Sequence, residues 1–518
     1  MIETSSAAFN LSNLKLIVSP IGVICLIFLW VVYCILIALY NVSPLHPLYR
    51  FPGPKLAAAS YIYEAYYDWW RVGRFGHQIR QMHESYGPLV RINPDELHCS
   101  DPSFADHIYA GSGHVRDRWV HQINSSGVGP IASSTFSSIP HELHRVRRGA
   151  ISRFFSRQQV LKYEDEVYQL ASETVDRMLR WAGKEPFDVR EAFNCFTADV
   201  ISQYAFGQPL GLIAQDDWKP NFATWIKPFT KCTHMLRFNP PMRMLVSILP
   251  RFAEYLGEDF KPFVRQMYVT IPGHIKAALE APDTGRLFTE LIQSKSLSES
   301  DKSISRLSGE GFVLFGAGTE TTSSVLAIAT YRLLSEPTIY AKLMKDLDGI
   351  DPFNLRLLEL ERRPYLWAVI HETLRMMPGV AMRSARIARD DDLVYMNREG
   401  GVWVIPKGTP VAMSAMINHW NEELFPNPDE FLPERWLIDG EPNKTLQKSL
   451  ISFSKGTRSC LGENLAYCEL YIMTALMAFR VLPRARLHNT TIENIQYDHE
   501  LIVIQSKKGP ISVMLQIS

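Results

Sequence analysis

The sequence predicts a mainly α-helical fold with a minor β-sheet region, preceded by one membrane-spanning helix. Three observations carry that prediction. Val167, Leu170, Ala171, Val175 and Met178 recur at three-and-four spacing, the period of a helix with one buried face. The apolar run from Phe312 to Leu334 is long enough for a central helix that crosses a whole domain. Strand-like runs are few and paired: "GVWVIPKGTPVAMS" about a Pro-Lys-Gly turn, and "LIVIQSKKGPISVML" about Lys-Lys-Gly-Pro.

Taken in order, the chain opens with a short polar stretch, residues 1–15, followed by a segment from Leu16 to Tyr40 without a charged residue. At ~1.5 Å per residue that segment crosses a ~30 Å hydrocarbon core, so 16–40 is expected to be a transmembrane anchor. It exceeds the apolar run of about 7 to 15 residues in a cleaved signal peptide, and no small-x-small site follows. Glu3 and Lys15 before it, with Arg50 and Lys55 after it, place the N-terminus in the lumen and the rest in the cytosol. Of the five Asn-x-Ser/Thr sites (Asn10, Asn41, Asn124, Asn443, Asn489), only Asn10 would then be lumenal. Pro44, Pro47, Pro52 and Pro54 make 41–56 a stiff, non-helical linker, which leaves 57–518 as the globular part.

Lys plus Arg and Asp plus Glu number 54 each, so no global field argues for nucleic acid. The seven cysteines are scattered and form no CxxC pair, which favours reduced thiols and argues against structural zinc and c-type haem. One of them, Cys460, lies in "FSKGTRSCLG" between two glycines and two cations. A thiolate that binds iron must be deprotonated, reachable from one side and shielded elsewhere. Gly456 allows a sharp turn that presents the sulfur, Gly462 lets a following helix from Leu461 start close to a flat cofactor, and Phe453 can cover the sulfur. Arg458 can pair with a carboxylate at the cofactor's edge. The alternative is a buried structural cysteine in a glycine-rich turn.

Upstream, "AGTETT" at 317–322 interrupts the long apolar helix. There the Thr321 hydroxyl can compete for a carbonyl of the preceding turn and Glu320 offers a titratable group, or the segment is a plain kink. "HETLR" puts Glu372 and Arg375 on one helical face, and "FLPERW" offers Arg435 as a third member of an ionic network. "HRVRRGAISRFFSR" clusters Arg145, Arg147, Arg148, Arg153 and Arg157 on what reads as one helix.

The pattern Phe-x-x-Gly-x-Arg-x-Cys-x-Gly resembles the haem-binding signature of the cytochrome P-450 family, the haem-thiolate monooxygenases, and the four motifs stand in that family's order. The resemblance implies a P-450 fold over 57–518, haem b held by Cys460, and an oxygen-activating segment at Glu320 and Thr321. It also implies a Glu372-Arg375-Arg435 network with a structural role. Haem propionates are expected to meet Arg458, Arg148, His144 and Arg386, with Arg383 as competitor. His144 stands where the family usually has Trp, and Trp436 where it more often has Phe, a change expected to matter little. No stretch remains for a flavin reductase, so the family's chemistry implies a separate NADPH-cytochrome reductase at the endoplasmic reticulum membrane. The remaining basic residues and Lys455 are expected to form its docking patch.

Dioxygen is then split reductively and a lipophilic substrate oxidised. Pocket walls are expected from Leu314, Phe315, Ala317, Val380, Ala381, Met382, the 124–138 loop, Leu501 and Ile502. "FPGPKLAAASYIYEAYYDWW" and "PDELHCSDP" resemble the fungal secondary-metabolism branch, trichodiene-oxygenase-like enzymes included. A terpenoid intermediate is therefore expected, ahead of a polyketide-derived one. A haem-thiolate isomerase or dehydratase and a non-catalytic haem sensor are the rival functions.

Overall fold

A computed structural model describes residues 19–248, 255, 257–258, 260–280 and 286–518. The expected lumenal stretch, Asn10 and the first residues of the anchor lie outside them. Helix α1 (Pro20–Val42) begins at Ser19, whose hydroxyl accepts the Gly22 N–H at 3.1 Å. Its most apolar window has a mean hydropathy of 3.0 and none of it is buried, as an anchor requires. The two other helices of sufficient length and apolarity have windows 61% and 78% buried and belong to the core.

The expected linker differs from the structure. α1 runs on to Val42, and the prolines after it fix turns that dock on the domain. Leu48 and Phe51 are buried, Phe51 stacking on Trp403 at 5.3 Å. Asn41 Nδ2 donates to Ala59 O at 3.0 Å, and Arg91 Nη1 donates to Asn41 O at 2.9 Å.

The domain's helices that position the site are α2 (Val120–Ile123), α3 (His141–Ser152), α4 (Glu164–Leu179), α5 (Val189–Phe206), α6 (Phe222–Phe238), α7 (Ile304–Ser335), α8 (Pro364–Met376) and α9 (Glu463–Leu476). The periodic set in α4 is buried as its spacing predicts, apart from Leu170 at the margin. α7 is the central helix, packed on α5 and α9. It starts eight residues before the apolar run, and in that first part Gly309 lies under the 124–138 loop: a Cβ there would sit 2.0 Å from Pro130 O.

A five-stranded sheet has the order β1 (Leu89–Arg91), β2 (Leu97–Cys99), β5 (Pro410–Ala412), β4 (Arg386–Ala388), β3 (Arg116–Arg118), antiparallel except for β2 with β5. The runs flanking Pro-Lys-Gly do not pair with each other as expected. Val402–Ile405 pairs with Leu393–Met396, whereas β5 joins the larger sheet. Near the C-terminus β6 (His499–Leu501) and β7 (Val503–Ser506) form a hairpin. β7 continues across the Lys-Lys turn to Gly509–Pro510, while Met514–Ile517 leaves for another sheet.

Between α6, the β6–β7 hairpin and the N-terminal part of the domain lies a buried ionic cluster. Glu64, Asp68, Glu96 and Glu500 share it with Arg237 and Arg383. Burial, then the facing Asp68, raises the Glu500 carboxyl from 4.5 to about 8, with Arg383 and Arg237 pulling the other way. The folded chain therefore keeps, between those values, a proton that the unfolded chain has released. Stability falls as pH rises through that window, by about 1.4 kcal/mol per pH unit. Glu500→Gln should flatten this slope, which thermal denaturation at about pH 5 and about pH 8 would measure.

Candidate haem-binding site

The cysteine loop is built by local backbone constraints. Gly456 has φ 71°, and a Cβ there would meet Tyr109 O at 2.1 Å and Ala110 O at 2.3 Å, so only glycine fits. The Cys460 N–H donates to Phe453 O at 2.8 Å and closes the turn. Phe453 packs on Tyr467 with ring centroids 5.1 Å apart. Helix α9 starts at Glu463, two residues later than expected, and a Cβ on Gly462 would meet no protein atom within 4 Å.

Cys460 is accessible to solvent, yet protein surrounds it. Burial pushes its thiol up to about 11; the Gly462 N–H and Arg148 oppose that rise, while Glu463 adds to it. The sulfur is therefore a protonated thiol by itself, and becomes a thiolate when a metal displaces the proton.

Around the loop stand four arginines: Arg118 on β3, Arg148 on α3, Arg386 on β4 and Arg458 in the loop. None has a carboxylate partner among the described residues. Arg118 and Arg386 are paired directly across the strands, where like charges repel. Arg118 Nε is buried without a partner, and burial followed by Arg386, Arg458 and Arg148 pushes its guanidinium well below the usual value. Arg458 donates to Arg116 O, Ser138 O and Ile139 O at 3.1, 2.8 and 2.8 Å, which leaves two of its five N–H groups. Burial first, then Arg386, lowers it to about 9. Arg148 Nη1 donates to Ser459 O at 2.8 Å, and Arg386 Nη1 donates to Ser384 Oγ at 2.7 Å.

His144, buried on α3, is lowered to about 2 by burial and then by Arg458, Arg118, Arg148 and Arg386, so it stays neutral. Buried and half-buried cations without counter-charges are costly, and this set would suit the two propionates of a haem held through Cys460. Arg383 is not part of it: its side chain is committed to Glu64 and Glu96, with Nη2–Oε1 of Glu64 at 2.6 Å. Arg118 escaped the sequence reading because only the β3–β4 pairing brings it to the loop.

On α7, Thr321 Oγ1 donates to the Ala317 carbonyl at 2.7 Å, and both residues border an open cleft beside Gly379 and the half-exposed Val380. Glu320 does not point there. It pairs with Arg190 of α5, and its Oε2 is buried without a hydrogen-bond partner. Phe315, expected in the pocket wall, is core instead, stacked between Phe206 and Phe222 at 5.8 Å each. Ala381 is fully buried and its N–H donates to Ile502 O at 2.9 Å. The 124–138 loop sits on Gly309, well before the cleft.

The ionic network is larger than the three expected residues. Glu372 accepts Arg375 Nε and Nη2, both at 2.9 Å, Arg435 Nε at 3.1 Å, the Leu432 N–H at 2.9 Å and Trp436 Nε1 at 2.8 Å. Trp436 therefore matters, contrary to expectation, because phenylalanine has no such donor. His419 completes the link: its Nδ1–H donates to Arg375 O at 3.0 Å, and its Nε2 accepts the Ile451 N–H at 3.0 Å, at the start of the cysteine loop.

The expected basic docking face is mostly neutralised. α3 stops at Ser152, so the five arginines do not share one helix. Arg147 pairs with Asp301, Arg153 with Glu290, Arg157 with Glu361 and Lys455 with Asp106. Only Arg145 of that set stays exposed without an ionic partner among the described residues.

Comparison with known proteins gives a consistent result. The cytochrome P-450 family model matches residues 68–512. The chain is 37% identical over 460 residues to a cytochrome P-450 monooxygenase of Metarhizium majus, covering 84% of this chain and 95% of that one. It is 36% identical to a tryptophan 6-hydroxylase of Fusarium equiseti, covering 95% and 96%. To an N-acetyltryptophan 6-hydroxylase of Emericella nidulans it is 34% identical, covering 91% and 93%.

Proposed function

The chain belongs to the cytochrome P-450 family, and from that premise we propose that it is an anchored monooxygenase that hydroxylates a lipophilic secondary-metabolite intermediate. Family membership brings a haem-thiolate iron and the need for a redox partner, a substrate and dioxygen. The finer proposals are haem b, an NADPH-cytochrome reductase as partner, and a single-pass anchor in the endoplasmic reticulum membrane with residues 57–518 in the cytosol. The observation that carries the reading is the uncompensated set Arg118, Arg148, Arg386 and Arg458 around the Cys460 sulfur.

The bound haem supplies dioxygen activation and the oxidation of a C–H bond. This chain's residues do the rest. Cys460 Sγ would hold the iron, and the Gly462 N–H would moderate the charge on sulfur. The arginines bind and orient the propionates. Thr321 holds a hydroxyl proton on the Ala317 carbonyl, from which the side chain could turn to donate it to an acceptor in the cleft. Glu320 serves as a proton source only after it leaves Arg190. Thr321→Ala should accordingly keep NADPH consumption while product per NADPH falls several-fold; tight coupling in that variant would remove the proton role.

We place a terpenoid substrate first and a polyketide-derived one second. A further reading has its own support, since two relatives carry names as hydroxylases of tryptophan or N-acetyltryptophan. The deciding experiment supplies haem-loaded chain and reductase with a terpene hydrocarbon, an aromatic polyketide and N-acetyltryptophan under isotopically labelled dioxygen. Label in the product identifies the substrate class. Product without NADPH would instead mean an isomerase, and a spectral shift without product a sensor. Absence of a thiolate-type carbon monoxide band in the reduced, haem-loaded chain would overturn the assignment.

A further inference from the structure

A row of rings leads from the cysteine loop into α8, and nothing in the reaction above uses it. The Cys460 N–H ends on Phe453 O, and the Phe453 ring lies 5.1 Å from that of Tyr467 on α9. Tyr467 stacks in turn on His371 at 5.7 Å with the planes 26° apart. His371 stacks on Trp367, one turn back on α8, at 3.8 Å. Exposed Lys444 caps the far end, its Nζ 4.7 Å from the centre of the Trp367 ring.

Tyr467 and His371 form an acid–base pair within this row. The His371 Nδ1–H donates to Trp367 O at 2.8 Å, which fixes the tautomer and leaves Nε2 as an acceptor. Gln447 Nε2 meets that nitrogen at 3.1 Å, and the Tyr467 hydroxyl stands 3.4 Å from it. Burial holds the imidazole down to about 3, Lys444 adding to the effect and the Trp367 carbonyl opposing it, so Nε2 carries no proton at neutral pH. Burial, followed by the Glu463 charge, keeps the phenolic proton on Tyr467.

These neighbours decide which ring gives up an electron most readily. Phe453 has no acidic proton to release with it. The cation over the Trp367 face holds that ring's π electrons more tightly. Tyr467 alone in the row has both a phenol and a base in reach, and losing the proton together with the electron lowers the cost of oxidation. An oxidised phenol is a far stronger acid than imidazolium, so the proton crosses to Nε2 even though burial has weakened that base. The same weakness returns the proton once the electron is replaced.

We propose that Tyr467 is a redox-active residue: a one-electron donor that quenches oxidising equivalents left on the haem iron when the cleft holds no substrate, with His371 as its proton acceptor. In each event the iron gains one electron, Tyr467 loses that electron and its phenolic proton, and His371 Nε2 gains the proton. A soluble one-electron reductant of the ascorbate class restores the electron by way of the His371–Trp367 stack, and His371 hands the proton back. A peroxide brings two oxidising equivalents, so two such events follow each one.

The inference rests on the haem reading above, and its test separates the two. The haem-loaded full chain, as parent, Tyr467→Phe and His371→Gln, is mixed with hydrogen peroxide without substrate or reductase. Rapidly frozen samples are read by electron paramagnetic resonance, and loss of haem absorbance is followed with and without ascorbate. The parent should give a tyrosyl signal that ascorbate removes. Tyr467→Phe keeps the ring and its packing; it should lose that signal and bleach its haem several-fold faster, with the melting temperature within a few degrees of the parent. His371→Gln should cut the signal several-fold, because no base takes the proton. Should His371→Gln not fold, the phenol variant decides by itself. A signal that survives Tyr467→Phe, or bleaching no faster than in the parent, would overturn the proposal. A parent that shows the thiolate-type carbon monoxide band but no tyrosyl signal would overturn it and leave the haem reading standing, whereas a parent without that band would remove both.

Discussion

Cys460→Ala should form no product at all while the chain remains folded. Cys460 is exposed and stands outside the hydrophobic core, and the loop that carries it is held by other atoms. These are the Cys460 N–H on Phe453 O, the three Arg458 bonds to backbone carbonyls and the tight fit at Gly456. Removing Sγ would thus deprive a bound haem of the thiolate that Cys460 would supply, in an otherwise intact cradle. The measurement is paired: turnover with reductase, and the melting temperature, which should stay within a few degrees of the parent. Retained turnover would remove sulfur ligation from the reaction; a collapsed melting temperature would mean that the cysteine is structural.

Glu372→Ala should have the reverse signature, a failure of the fold with the chemistry untouched in principle. The carboxylate accepts five hydrogen bonds, and it and Arg375 are fully buried. Its removal leaves two guanidinium groups, an indole N–H and a backbone amide without their acceptor. Breaking a buried pair costs about 3–5 kcal/mol, much of the roughly 5–15 kcal/mol that holds a domain together. Trp436→Phe removes one charge-assisted bond and should cost about 1.5–3 kcal/mol. Denaturant unfolding ranks the two, and haem retention should fall in the same order, because His419 transmits the position of Arg375 to the backbone at Ile451.

The parts of the site legible in the sequence are those encoded by contiguous residues. The turn at Gly456, the bonded Thr321 and the Glu372-Arg375 pair each need only neighbours within one loop or one helical turn. What the sequence hid depends on long-range pairing or on which face of a helix is turned inward. Arg118 meets Arg386 only through strand register. Phe315, expected in the pocket wall, is drawn into the core by neighbouring Phe206 and Phe222, and which face of α7 turns inward is not written in its own run. Glu320 and Thr321 differ in the same way, one drawn to Arg190 and the other left in the cleft. The sequence placed both runs flanking Pro-Lys-Gly correctly as strands but not their partners: the first pairs with the run just before it, Leu393–Met396, and the second with the more distant β2 and β4. The docking arginines looked free because their carboxylates lie far along the chain, Arg147 and Asp301 being 154 residues apart.

The amide of Asn41 and the guanidinium of Arg91 clamp the last turn of α1 to the globule. A body fastened in this way cannot swivel on a leash. An α1 that spans a bilayer would hold the globule at one attitude to it, so the same flank would meet the acyl layer and a solute dissolved in oil would approach from a constant direction and height.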